Sequence, residues 1–262
     1  MTPPPAHPDA GPFDLLRQIL VPLALAVTLY VNYLANALPI NGRTPAEISD
    51  SFPSLVTPAG YVFAIWGLIY LALIAYAIYQ AAPSRRASPL QRRVGWLFVL
   101  SCVFNSGWIF AFHYGHYRIT ELVMLGLLLT LIAIYLRLGT GRRPPADRLE
   151  AWALRLPFSL YLGWITIATI ANTTILLLDE GWGGWGLAPE VWAVLVLMVG
   201  AGINAAIAYR HRDAVYVGVF IWAYAGIIVQ HAAVRPVAIT AGLMVPLVVL
   251  ALLRAPRPAA AA

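Results

Sequence analysis

VGWLFVLSCVFNSGWIFAFHYGHYRITELVMLGLLLTLIAIYLRL, residues 94–138, is the stretch on which the fold turns. It holds two apolar runs, 94–114 and 119–138. Each has about the 20 residues that carry an α-helix across the roughly 30 Å hydrocarbon layer of a bilayer. The runs are too long for barrel strands and lack strict alternation, so they read as helices. The connection between them, 113–118, is so short that the two helices form an antiparallel hairpin.

Six further runs flank this hairpin, at about 18–39, 58–82, 152–178, 189–209, 214–232 and 236–253. Hydrophobic residues make up 61% of the 262 and charged residues 11%, against roughly 25% charged in a soluble domain. The sequence therefore predicts an all-α membrane protein, a polytopic bundle of about eight transmembrane helices. The last two runs are separated only by the tight gap around Arg235-Pro236.

Charge sets the orientation. All 17 basic residues are arginines. Arg85, Arg86, Arg92 and Arg93 fill the second connection and Arg137, Arg142, Arg143 and Arg148 the fourth. Arg210 and Arg212 lie in the sixth, and Arg254 and Arg257 follow the last run. The other connections hold only Arg43, Arg118 and Arg235. An excess of arginine on alternate sides places both termini in the cytoplasm. The chain thus reads as a multi-pass protein of a bacterial cytoplasmic membrane. The same asymmetry accounts for the net charge of +6, which gives no support to nucleic-acid binding. The Pro-rich lead before the first run carries Asp9 and Asp14 and is a poor signal-peptide n-region. A single cysteine, Cys102, excludes an intrachain disulfide.

The expected order is a disordered cytoplasmic lead at 1–16, a five-helix bundle at 17–180, three further helices at 181–254 and a cytoplasmic tail at 255–262. The connection 40–57 contains Asn41-Gly42, Pro45 and Pro53, turn and breaker residues. It is long enough to fold over the mouth of a bundle or to serve as a passive linker.

Chemistry-bearing residues are sparse. Trp96, Trp152, Trp182, Trp185 and Trp192 lie near helix ends, where aromatic belts form. Trp66, Trp108, Trp164 and Trp222 lie deeper, where their faces either pack helices or line a pocket for a flat apolar ligand. Asn32, Asn36, Asn105, Asn172, Asn204 and Gln230 are amides within apolar runs. They are costly in lipid unless hydrogen-bonded, so they face the bundle interior as interhelical glue or as ligand contacts. Asn32 and Asn36 fit the structural role. Glu121 follows Arg118 by three residues, the spacing of an ion pair on one helix face. His113 and His116 resemble a metal pair but have no third ligand, so no metal site is expected. No catalytic cluster, phosphate loop or nucleophile elbow is present. Two loose sterol-contact patterns, Leu131…Tyr135…Arg137 and Leu73…Tyr79…Arg85, arise in any Leu-rich helix that ends in arginine.

The motifs have a familiar order. Pro58 is followed by Tyr-Val-Phe-Ala-Ile-Trp and then Trp66-Gly67-Leu68-Ile69-Tyr70. Phe104-Asn105-Ser106-Gly107-Trp108 comes next, then a very short turn, then Tyr161-Leu162-Gly163-Trp164 with Asn172 eight residues later. On these motifs residues 20–178 resemble the tryptophan-rich sensory protein/translocator protein (TspO/MBR) family, five-helix membrane proteins. The sequence departs from that pattern in four places. Ala59 stands where a second proline is usual, the interval from Val62-Phe63 to Trp66 is one residue short, Pro157 is displaced from Tyr161, and three helices follow the five. The resemblance implies a membrane-embedded binding or sensory protein for a flat hydrophobic ligand, a tetrapyrrole such as protoporphyrin or haem, or a sterol-like molecule. Some members are linked to porphyrin breakdown or stress signalling. The pocket it implies draws on Pro58, Phe63, Trp66, Tyr70, Asn105, Trp108, Tyr161, Trp164, Ala168 and Asn172, among helices one, two, three and five under the 40–57 loop. No required cofactor follows from it, and a homodimer is compatible with it. A small-solute or lipid transporter, or an enzyme acting on a lipid or isoprenoid, stand as alternatives. The transporter lacks an inverted repeat and the enzyme lacks a carboxylate or histidine cluster.

Overall fold

The computed structural model describes residues 10–256 and is helical throughout, with no strand among them. The first membrane-length helix is α1 (Pro12–Ala37). A short α2 (Pro45–Asp50) lies in the first connection. Then come α3 (Ile65–Ala81), which continues a 3-10 turn from Gly60, α4 (Pro89–His113) and α5 (Tyr117–Leu138). A helical turn α6 (Arg148–Glu150) runs through a π-helical turn at Ala151–Arg155 into α7 (Leu156–Asp179). The chain ends with α8 (Pro189–His211), α9 (Ala214–Gln230) and α10 (Arg235–Leu253). Seven of these segments are long and apolar enough to cross a membrane, and α9 is a shorter apolar helix. Each of the eight apolar runs is thus a helix, and the protein is an integral multi-pass membrane protein.

Local signals explain most boundaries. Pro12 opens α1, and the Asp14 carboxylate accepts from the Gly11 backbone N–H at 3.1 Å, satisfying a donor that the first turn leaves free. The helix therefore starts inside the expected 1–16 lead. Residues 1–9 of that lead and 257–262 of the expected tail lie outside the described residues. Gln18 donates to the carbonyls of Gln80, Ala81 and Ala82, each at 3.0 Å, and closes the far end of α3. Between α4 and α5 only Tyr114, Gly115 and His116 intervene, with Gly115 at φ 71°, so the hairpin turns where the sequence required it. Asp213 caps α9 by accepting from the backbone of Val215 and Tyr216.

Two aromatic-rich cores form. One is built from α1, α3, α4, α5 and α7, but it also includes Tyr216 and Val219 of α9. The other gathers α8, α9 and α10 with Ile167 of α7 and Val56 of the first connection. Helix α9 belongs to both, so the core does not divide at residue 180 where the motifs do. Gly163 makes the close approach of α7 to α9 possible, because a Cβ there would lie 3.1 Å from the Val219 side chain. Tyr216 donates to Thr166 across the same seam at 2.9 Å.

Candidate functional site

The site is built at the end of the bundle that carries α2 and the α4–α5 turn. Thr44 and Glu47 form a reciprocal capping box that turns residues 45–50 into a helix. The Glu47 carboxyl is held below its usual range by hydrogen bonds from the Thr44 backbone and side chain. The chain then runs through Pro53 and Pro58 into α3. Helix α9 holds this stretch from the side. Ala59 donates to the Gly226 carbonyl at 3.2 Å, Trp222 to the Val62 carbonyl at 3.0 Å, and His231 Nε2 lies 3.0 Å from the Thr57 carbonyl.

Beneath this cap lie two cavities separated by aromatic side chains. The inner one, about 40 Å³, is lined by Pro45, Ser49, Thr57 and Pro58 from the cap, and by Phe63 and Trp66. Asn105, Trp108 and Phe112 of α4, Met124 and Leu127 of α5, and Trp164, Ala168 and Asn172 of α7 complete most of its wall. The second, about 360 Å³, opens between α1 and α3 and is lined by Asn32, Tyr33, Asn36, Gly67 and Tyr70 among others. Pro45, Phe63, Trp66 and Trp108 line both. Trp66 stacks on Tyr70 at 5.4 Å and 23°, and meets Trp164 edge-on at 6.1 Å and 82°. Phe63 also meets Trp164 edge-on at 5.9 Å, and Trp108 stacks on Phe112 at 4.9 Å.

Polar groups behind the walls form two chains. In the first, Asn32 Nδ2 donates to the Thr28 carbonyl and to Asn105 Oδ1 at 2.7 Å, and Asn105 Nδ2 donates to the Tyr161 hydroxyl at 2.9 Å. Asn36 joins by donating to the Asn32 carbonyl at 2.9 Å. In the second, Trp108 Nε1 donates to Asn172 Oδ1 at 3.1 Å, and Asn172 Nδ2 donates to Glu121 Oε2 at 2.6 Å. Thr173 donates to the other Glu121 oxygen at 2.8 Å. Two buried donors lining the inner cavity are left over. Trp164 Nε1–H and the Thr57 hydroxyl have no acceptor among the described residues.

Of the ten residues singled out from sequence, eight line the inner cavity: Pro58, Phe63, Trp66, Asn105, Trp108, Trp164, Ala168 and Asn172. Tyr70 lines only the second cavity, beside Asn32 and Asn36. Tyr161 lines neither; it supports Trp66, at 6.0 Å, from behind. Helix one serves the second cavity only, and the fourth transmembrane helix, α5, supplies inner wall that the sequence reading did not assign. One expectation changes. Arg118 does not pair with Glu121: its Nε and one terminal nitrogen donate to Glu180 at 2.5 Å, because the end of α7 lies opposite, and Glu121 turns inward to α7 instead. Trp222 takes the packing alternative: it lines neither cavity, and its indole N–H donates to the Val62 carbonyl. His113 Nδ1 lies 2.7 Å from the Ile109 carbonyl, and the described residues contain no cluster suited to a metal. Of the loose sterol patterns, Tyr135 donates to Asp213, and Tyr79 lies under the Arg85 guanidinium of its own pattern at 4.6 Å. Sequence reasoning missed Thr57, Ser49 and Pro45. Only the Thr-x-x-Glu capping signal at 44–47 hinted that the cap would be ordered.

A family model described as TSPO-like protein matches residues 18–254, so the match takes in α8, α9 and α10 as well as the motif-bearing helices. No curated protein and no solved structure matches the chain.

Proposed function

The chain belongs to the TSPO-like protein family, and on that premise we propose that it is a membrane-embedded binding or sensory protein whose ligand is flat and mostly apolar. The observation that carries this reading is the pair of aromatic-walled cavities sharing Phe63, Trp66 and Trp108. The inner one, at about 40 Å³, has room for little more than water. Rotation of the shared side chains would merge it with its neighbour, and the joint space reaches the few hundred Å³ typical of a small-molecule site. Sterol-like molecules and tetrapyrroles are the two classes with the required flat shape. The second cavity opens between α1 and α3, where Tyr33 is exposed, so a ligand partitioned into the bilayer enters sideways. The arginine asymmetry supports a capped end that faces away from the cytoplasm.

Purified full-length protein in nanodiscs, titrated with sterols and porphyrins while indole fluorescence is followed, tests this reading. Saturable quenching that weakens in Trp66→Phe at unchanged thermal stability is expected. Loss of stability with unchanged binding per folded molecule would show that Trp66 only packs helices. Solute uptake into vesicles, or product formation from a bound lipid, would point instead to the transporter or the enzyme.

A further inference from the structure

Resting on that reading of the cleft, we propose that the ligand is an uncharged molecule with a hydrogen-bond-accepting oxygen. That oxygen binds the Trp164 indole N–H and the Thr57 hydroxyl, with the hydrocarbon body against Phe63, Trp66 and Trp108. Three observations converge. Trp164 and Thr57 are 3% and 5% exposed, line the inner cavity from α7 and from the cap, and each has a buried donor without a protein acceptor among the described residues. Buried polar groups are normally paired, so two orphans lining one cavity mark a place where an acceptor belongs. The neighbouring amides are engaged: Asn105 with Asn32 and Tyr161, and Asn172 with Trp108 and Glu121. Among the lining residues, Trp164 and Thr57 carry the fully buried donors without a partner, so the acceptor is assigned to them.

The third observation is charge. Neither cavity has an arginine, histidine or acidic side chain in its lining, and the chain has no lysine. A carboxylate carried into such a site loses its water and gains no cation. Protoporphyrin and haem each bring two propionates, so the residues present do not fit them as dianions inside the cleft. A neutral ketone or ester fits.

Four probes separate the terms: cholest-4-en-3-one and cholest-4-ene, which differ in the carbonyl, and protoporphyrin IX with its dimethyl ester, which differ in charge. Each is titrated by indole quenching into the full-length protein in nanodiscs, alongside the Trp164→Phe and Thr57→Val variants. The ketone should bind about tenfold more tightly than the alkene, the worth of a good buried hydrogen bond. Each variant should shrink that ratio while leaving alkene affinity in place, and the ester should bind more tightly than the free acid. Two variants on separate elements keep the test decisive if one folds poorly. Equal affinity for ketone and alkene, a ratio untouched by both variants (donors satisfied by water only), or a free acid that binds as well as its ester overturns this proposal and leaves the cleft reading standing. No saturable binding of any probe overturns the cleft reading, and this proposal with it.

Discussion

Gly226→Ala tests whether α9 positions the cleft. A Cβ at Gly226 would lie 2.1 Å from Val62 Cγ2 and 3.1 Å from Pro58 Cβ. Carbon atoms prefer about 3.5–4.0 Å, so the cap and α9 must part by roughly 1.5 Å. Val62 is β-branched and cannot swing aside freely. Overpacking of this kind costs about 1–3 kcal/mol. The Ala59-to-Gly226 hydrogen bond lies at the same spot, and Pro58 lines the inner cavity. A site loosened by about an ångström loses affinity. We therefore expect a lower melting temperature in a fixed detergent and ligand affinity reduced roughly three- to tenfold, since 1.4 kcal/mol is tenfold. Gly242→Ala in α10 is the control, because nothing lies within 4 Å of its added Cβ. Helix propensity alone predicts that it is neutral or slightly stabilising. If Gly226→Ala melts and binds like Gly242→Ala, the close docking of α9 on the cap is not a feature of the folded protein.

Asn172→Leu leaves Trp108 Nε1 and Glu121 Oε2 without their partner, and should cost about 2 kcal/mol in denaturation; an unchanged midpoint would remove the network from the fold's support. The Glu180 carboxyl is depressed by hydrogen bonds from Arg118, so the pair stabilises above the ordinary glutamate range and its contribution fades as pH falls through the depressed value. Glu180→Gln should remove that small acid-side slope, and an identical pH profile in the variant would contradict it. Truncation after residue 186 removes the three contacts of α9 on residues 57–62 and uncovers part of the first core around Tyr216 and Val219. It should yield protein that inserts but melts low and binds weakly, and wild-type binding would show the tail to be dispensable. Reporters fused at Arg86, Arg143 and Arg212 should report cytoplasm and those at Ala46 and Gly184 the outside; the reverse pattern would overturn the orientation.

The eight helices were legible because membrane burial writes itself as run length, and the 113–118 hairpin because so short a connection between two membrane-length runs leaves only an antiparallel pairing. The helix-face reasoning also carried over. Trp164, Ala168 and Asn172 line one cavity because intervals of four stack along a helix. Pairings between helices were not legible. Asn105 meets Tyr161 56 residues away, and Glu121 meets Asn172 51 away, whereas the visible alternative for Glu121 was Arg118 one turn off. Local spacing favours the near partner, and only packing reveals that α7 supplies a better one. Thr57 was invisible for a different reason. An isolated threonine in a Pro-rich connection has no periodicity, and its meaning comes from Trp164, which lines the same cavity.

The tail helices acquire a role from the same geometry. His231 Nε2 lies 3.0 Å from the Thr57 carbonyl, and Thr57 lines the inner cavity with its buried hydroxyl unpartnered among the described residues. One residue therefore touches both α9 and the proposed ligand position. Affinity and docking are then linked, and linkage is reciprocal: if a loosened α9 weakens binding by some factor, a bound ligand tightens the docking of α9 by the same factor. The other end of α9 is also held, by Asp213 accepting from Tyr135 at 2.9 Å and by Tyr216 donating to Thr166. A helix fixed to the cap at one end and to α5 and α7 at the other is a strut of the bundle, and the family match, residues 18–254, takes it in with the motif-bearing helices.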